Sequence, residues 1–355
     1  MEVAETHLVT GGSGFIAQHL VNELLSQGIR VNATVRSLRN AKKVASLKGL
    51  QEKHAGRLQL FEADLLKPGS FKEAMQGCSV VHHVASPFMM AEMIKDGQKE
   101  CVEPALEGTR NVLASVKETT SVKRVVLTST KQAADFEVVF AVGAIFGDYE
   151  DVNDKMGGTL SEKYFNETST VTHNPYHYSK VLAEKEAWEI AKEESRWDLV
   201  VVCPGLVLGP PLSAGSDSGS LFLIDELLSG KLFFGVPNLN FATVDVREVV
   251  TAHIKVASTP TASGRYIVAS RDMANFLEMS KLFRRLSKSM LISDHLLPDF
   301  LVRVIGPFFG LTRKWISMNL GTKFAVDNSR SIKELGIEYR PLETTLREHY
   351  QAWKG

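Results

Sequence analysis

A doubly wound α/β fold, a parallel sheet with helices on both faces, is predicted by three observations. Short β-branched runs alternate with helical patterns through the first half of the chain. A glycine-rich turn, Gly11-Gly12-Ser13-Gly14, separates the first run from the first helix. The strand candidates are short and mainly apolar, as expected of strands covered on both faces. Such strand–helix alternation implies right-handed crossovers and a parallel sheet.

The elements follow in order. Leu8-Val9 leads into a helix with apolar residues at Phe15, Ile16, Leu20, Val21, Leu24 and Leu25. Those offsets of three and four make one buried stripe, and Gly28 stops it. Next come a strand at Val31 to Val35, a polar helix around Ala41 to Gln51 and a strand at Leu58 to Phe61. A short helix around Phe71 to Met75, a strand at Val80-Val81, a long helix over Glu100 to Glu118 and a strand at Val125-Val126-Leu127 complete the first half. Asp135 to Asn174 mixes Gly143, Gly147, Gly157 and Gly158 with an apolar patch and acids, and reads as an irregular excursion over the functional site. A helix resumes after Pro175 and runs to about Glu194, and Leu199 to Val202 is another strand. Beyond it lie a loop from Gly209 to Gly219, a helix around Leu221 to Leu228, and helical stretches after Val246 and Phe276. The division expected is a Rossmann-type nucleotide domain over 1–203 and a smaller C-terminal substrate-binding lobe over 204–355. Segments around 240–270 return to the first domain.

Composition narrows the function classes. Hydrophobic residues make up 44% of 355, enough for a sizeable core. Basic and acidic residues balance at 41 each, which gives no support for a nucleic-acid or anionic-membrane partner. Cys78, Cys101 and Cys203 are odd in number and lack metal-type spacing, so neither a disulfide framework nor a metal is expected. A reducing, cytoplasmic setting follows. No signal peptide is expected, and no apolar run reaches the ~18 residues of a membrane span. The nearest case, Phe300 to Ile316, is interrupted by Arg303, Arg313 and Lys314 and reads as a partly buried surface helix. A monomer or homodimer is expected, acting on a small carbonyl or alcohol substrate.

The chemistry starts at the glycine turn. Glycine permits the tight bend and lets the backbone approach a pyrophosphate. The following helix offers free N–H groups and its positive dipole end to phosphates. Ala17 stands where many such loops have a third glycine, and it is small enough for close helix–strand packing. At the end of the second strand, an acid would bond the ribose of NAD. This chain has Arg36, with Arg39, Lys42 and Lys43 close behind. A guanidinium bonds a 2′-phosphate in a bidentate manner, so NADP(H) is the cofactor expected. Lys43 is a second candidate for that phosphate.

Tyr176-His177-Tyr178-Ser179-Lys180 opens the helix after Pro175. Positions i and i+4 share one helix face, so Tyr176 and Lys180 point the same way. Tyrosine alone has a pKa of about 10, and a nearby ammonium favours its phenolate and makes it a usable proton shuttle. His177 and Tyr178 point elsewhere. A third group should polarise the substrate carbonyl, and Thr128-Ser129-Thr130 supplies hydroxyls at a strand's carboxyl end, where such sheets bind ligands. Thr130 is the first choice and Ser129 the alternative, with Thr128 set beside the cofactor. Phe88, Met89, Met90, Ala133, Leu206 and the Gly209 to Leu223 loop are expected to shape an apolar or aromatic substrate pocket.

Taken together, these motifs resemble the extended short-chain dehydrogenase/reductases. The nearest resemblance is to the branch of dihydroflavonol and cinnamoyl-CoA reductases with the fungal aldehyde and methylglyoxal reductases. It rests on Val9 to Ala17, Thr34 to Ser37, Asp64-Leu65, His83 to Pro87, Val125 to Thr130 and Tyr176 to Lys180. Ala183 to Lys185, Pro204 to Pro210 and Asp245 to Arg247 extend it, and it weakens after Asp272. The resemblance implies that Gly11, Gly14, Phe15 and Ile16 line a pyrophosphate and Arg36 meets the 2′-phosphate. It also implies Asp64 and Leu65 at the adenine, Val84, Ala85 and Ser86 at a ribose, and Pro204, Gly205, Leu206 and Val207 along the nicotinamide. Hydride transfer from NADPH to a carbonyl follows, with Tyr176 as proton donor, Thr130 steadying the oxygen and Lys180 tuning Tyr176. Two departures stand out: Lys131-Gln132 follows Thr130 where small residues are usual, and the chain from Thr130 to Tyr176 is longer than the family spacing. A hydroxysteroid dehydrogenase and an NAD-dependent sugar-nucleotide epimerase or dehydratase are the alternatives on the same fold.

Overall fold

The computed structural model describes residues 5–86, 96–129, 143–213, 218–309 and 311–355. The first half contains β1 (Thr6–Val9), α1 (Phe15–Ser26), β2 (Arg30–Val35), α2 (Ala41–Lys53), β3 (Leu58–Glu62), α3 (Lys72–Met75), β4 (Val80–His83), α4 (Glu103–Glu118) and β5 (Arg124–Thr128). Then come α5 (Tyr149–Met156), β6 (Thr159–Leu160), α6 (Pro175–Lys192), β7 (Asp198–Pro204), β8 (Leu206–Leu208) and α7 (Gly219–Leu228). The remainder holds β9 (Asn240–Phe241), β10 (Thr243–Asp245), α8 (Val246–Ser258), β11 (Gly264–Val268), β12 (Ala274–Asn275) and α9 (Phe276–Ser287). It ends with α10 (Asp299–Ile305), α11 (Arg313–Asn319), β13 (Ala325–Val326), α12 (Ser329–Leu335) and α13 (Leu342–Lys354).

Seven strands form one sheet in the order β11-β7-β5-β4-β1-β2-β3, every pair parallel. The expected doubly wound fold is therefore present. Connections from β1 run outward through β2 and β3, and those from β4 run the other way. This reversal leaves a crevice outside the carboxyl ends of β1 and β4, the place where such sheets take ligands.

Strand alternation divides the core. Leu8, Val81, Val125, Leu127 and Val201 pack into one cluster, which takes in Val112, Val116 and Ala187 of α4 and α6. Val9, Val126, Val200 and Val202 face the other way, onto residues of α1 and α8 such as Leu20, Leu24, Val249 and Val256. The inner strands β1, β4, β5 and β7 are buried on both faces, which explains their largely apolar runs, whereas the edge strand β3 exposes Gln59 and Glu62. On β5 this parity sends Thr128 toward α8 and puts the next residue, Ser129, on the α6 side.

Two segments differ from expectation. The long helix begins at Glu103, directly after a π-helical turn over Gln98–Val102, and carries Pro104 in its first turn. A proline fits the first turn, whose N–H groups lack intrahelical partners. The 143–174 part of the excursion is ordered, and the rest of it lies outside the described residues. Asp148 and Asp151 form a capping box that starts α5, and Gly157 in the left-handed region ends it. Ala144, Ile145 and Phe146 are buried in the main core. β6 pairs in parallel with β13, joining this segment to the C-terminal part of the chain.

Among the described residues no helix is long and apolar enough to cross a membrane. In the Phe300 to Ile316 stretch, Phe300, Val304 and Phe308 are exposed while Trp315 and Ile316 are buried. Cys78, Cys101 and Cys203 are buried free thiols. Burial holds them in the thiol form, Cys78 and Cys203 pushed up to about 12 and Cys101 to about 11.

Candidate active site

The crevice at the β1/β4 switch contains a cavity of about 470 Å³. Gly11, Ser13 and Gly14 form one wall, Arg36, Ser37, Asn40 and Lys43 a second, and Asp64, Leu65, Ala85 and Ser86 a third. The wall at Gly11 is closely built. Its φ is +67°, and a Cβ there would lie 3.0 Å from Ala85 Cα. Gly11 N–H donates to Thr34 Oγ1 (3.3 Å) and Gly12 N–H to Thr34 O (2.7 Å). Gly14 is the N-cap of α1, with no side-chain cap of its own, so this helix end presents its N–H groups to the cavity. Phe15, Ile16 and Ala17 are buried beneath it, and Ala17 has no exposed surface. The cradle that a side chain would fill, the helix end and the basic wall fit a dinucleotide pyrophosphate and a further phosphate.

Arg36 is exposed at the end of β2, and Lys43 is half-buried on the first turn of α2. Asn40, absent from the sequence reading, caps α2 by accepting from Lys43 N–H (3.2 Å) and lines the cavity. An Asn placed just before a helical run was the available signal. Ser37, also missed, lines the same wall. Across the cavity, Asp64 Oδ1 accepts from Leu66 N–H (2.9 Å), and Leu65 O accepts from Asn111 Nδ2 (2.8 Å). These bonds fix the turn after β3.

The floor is the end of β4. Thr10 Oγ1 accepts from Ala85 N–H (2.9 Å) and meets His83 Nδ1 at 3.1 Å. Val84 is buried. Ser86 accepts a hydrogen bond from Lys180 Nζ. That contact places the α6 ammonium at the edge of the glycine cavity. Lys180 Nζ also lies 4.9 Å from the centre of the Tyr176 ring. Both residues are at least nine-tenths buried. The expected i, i+4 pair is thus on one face of α6, beside the candidate cofactor cavity. His177 turns away to meet Gly147 O (3.2 Å), as its helix position requires.

At the strand end the three hydroxyl candidates separate. Thr128 Oγ1 pairs with His253 Nε2 of α8 (3.0 Å), on the far side of the sheet. Ser129 Oγ donates to Glu184 of α6. Thr130, Phe88, Met89, Met90 and Ala133 lie outside the described residues. Pro204, Gly205, Leu206 and Val207 form a buried link from β7 to β8. A Cβ on Gly205 would lie 2.4 Å from Ala242 O, so the close approach of the backbone between β9 and β10 excludes any side chain.

Burial, with the Lys180 charge nearby, pushes His83 down to about 4 from an ordinary 6.5. Below pH 6.5 the unfolded chain binds a proton that the folded site refuses. The stability from neutral His83 is therefore present above pH 6.5 and is lost as pH falls toward 4. Replacing His83 with Gln is expected to flatten the fall in melting temperature across that window. Parallel curves for the two proteins would refute the assignment.

Comparison with known proteins shows the family. The pattern of the NAD dependent epimerase/dehydratase family matches residues 7–269. The chain belongs to that family. A cinnamoyl-CoA reductase of Medicago truncatula is 34% identical over 351 residues, covering 98% of this chain and 94% of that protein. An Arabidopsis thaliana anthocyanidin reductase is 38% identical over 283 residues, covering 76% of this chain and 78% of that one. Among solved structures, yeast methylglyoxal/isovaleraldehyde reductase Gre2 complexed with NADPH superposes with a TM-score of 0.76 at 26% identity, covering 98% of each chain. The resemblance to the extended reductases, drawn from the motifs, is borne out. So is the family's doubly wound fold.

Proposed function

We propose that this family member is an NADPH-dependent reductase of aldehydes or ketones, with an apolar or aromatic group beside the carbonyl. One observation carries the reading: Tyr176 and Lys180 share a face of α6, and Lys180 reaches Ser86 at the glycine cavity. The reductase names of the relatives and the NADPH in the yeast structure support it.

Bound NADPH supplies a hydride to the carbonyl carbon. The chain's own residues do the rest. Gly11, Gly14, Phe15 and Ile16 hold the pyrophosphate, Arg36 and Lys43 the 2′-phosphate, and Asp64 and Leu65 the adenine end. Val84, Ala85, Ser86 and Lys180 serve the riboses, and Pro204 to Val207 back the nicotinamide, while the Thr128 hydroxyl is engaged by His253. Tyr176 gives its phenolic proton to the carbonyl oxygen as negative charge develops there. The Lys180 ammonium favours the phenolate left behind. Thr130 steadies the same oxygen, and Phe88, Met89 and Ala133 form the substrate wall.

Aldehydes and ketones should consume NADPH in preference to NADH, with aromatic or branched apolar carbonyls turned over best. Absence of turnover across such a panel would overturn the reading. Arg36→Glu should raise the KM for NADPH by about 10–100-fold, the weight of one or two charge-assisted hydrogen bonds, and leave NADH little affected. An unchanged NADPH preference would remove Arg36 from the phosphate site.

A further inference from the structure

Glu184 sits one helical turn beyond Lys180 on α6 and is almost wholly buried, with 1% exposure. It continues the stripe of Tyr176 and Lys180 along the helix. A buried carboxylate needs partners, and both of its oxygens have them. Oε2 accepts from Ser129 Oγ, at the end of β5. Oε1 lies 2.6 Å from Arg265 Nε of β11 and accepts from Trp188 Nε1 (3.2 Å). The Arg265 guanidinium goes further. It donates to Glu162 O (3.0 Å) and Tyr164 O (2.5 Å), approaches Ala144 O at 3.4 Å, and stacks 4.1 Å from the centre of the Phe165 ring.

One buried ion pair thus ties three pieces together: the helix carrying Tyr176 and Lys180, the strand end leading into Thr130, and the 143–166 segment. We infer that Ser129, Glu184 and Arg265 form a positioning device that sets the catalytic helix against the end of β5. Ser129 acts through Glu184 and is not the hydroxyl that polarises the carbonyl. Its proton is directed at the carboxylate, and its backbone N–H is held by Val202 O (2.9 Å), so Ser129 itself is fixed at two points. Rotation of α6 about its axis would move Tyr176 and Lys180 together, and Glu184 is the group on their own face that resists it.

The inference rests on the reductase reading, and the test separates the two. The conservative variants are Ser129→Ala, Ser129→Thr and Glu184→Gln, assayed with NADPH and a reducible carbonyl. Tyr176→Phe runs alongside. Ser129→Ala should lower kcat by about 10-fold and Glu184→Gln by about 10–100-fold, the scale of a displacement of about 1 Å at a reacting centre. The KM for NADPH should stay within about twofold of wild type, because the glycine cavity is untouched. Ser129→Thr, which keeps the hydroxyl, should recover most of the lost rate. The double variant Ser129→Ala/Glu184→Gln should fall no further than Glu184→Gln, since both act through one contact. A purely structural role would lower the melting temperature and leave kcat per folded molecule unchanged. Ser129→Ala at full kcat overturns the inference even if Glu184→Gln fails to fold. If Tyr176→Phe also retains full turnover, the reading of the site itself has failed.

Discussion

Tyr176→Phe is expected to lower kcat by about 10²–10⁴-fold, the usual contribution of a positioned proton donor, while leaving NADPH affinity near wild type. The substitution removes one oxygen from a side chain that is 5% exposed. The ring keeps its place against Lys180, whose Nζ lies 4.9 Å from its centre. Lys180 keeps its bond to Ser86, so the cavity edge is preserved. The loss therefore belongs to the chemical step and should appear in kcat and kcat/KM alike. Steady-state kinetics and fluorescence titration with NADPH check both halves. Unaltered turnover would show that the proton comes from elsewhere, and lost NADPH binding would show that the phenol is part of the cofactor cradle.

The sequence made the sheet and the cofactor side legible because their signals are local. Gly11 is needed at a left-handed φ against Ala85, and a glycine between strand and helix is visible in the chain alone. Tyr176 and Lys180 are four residues apart in a helix that Pro175 starts, so their common face follows from periodicity. Long-range partners were not legible. Nothing near Arg265 in sequence says that it reaches Glu184 on α6 and three carbonyls between Ala144 and Tyr164. Glu184 itself could have been found, since it extends the Tyr176–Lys180 stripe by one turn and a carboxylate on a buried face demands a partner. The three hydroxyls after Leu127 were indistinguishable as a string. Strand parity sorted Thr128 toward His253 and Ser129 toward Glu184. The excursion read as irregular because glycines outweighed the Asp148–Asp151 capping box, a helix-start signal that was present in the sequence.

Arg265→Met should destabilise the fold by about 3–5 kcal/mol, more than substitution of Tyr176, Ser129 or His83. The side chain is 7% exposed and Glu184 is 1% exposed, so the carboxylate left behind would be a buried charge without its counter-ion. Methionine fills the space above Phe165 but donates nothing to the carbonyls of Ala144, Glu162 and Tyr164. Two costs therefore act together, the orphaned charge and the unmade bonds. A second substitution separates them. In Glu184→Leu/Arg265→Met the charge is gone but the carbonyls remain unserved, so only part of the stability should return. Urea unfolding midpoints of the two variants and wild type measure both contributions. Recovery to wild-type stability would show that the carbonyl bonds contribute little and that the pair's charge is the whole cost. A single Arg265→Met variant within about 1 kcal/mol of wild type would mean that water or rearrangement replaces the guanidinium, which the depth of the site argues against. The pair then has a plain physical reading: it is costly to break, and it is placed where breaking it moves the catalytic helix, the end of β5 and the 143–166 segment at once.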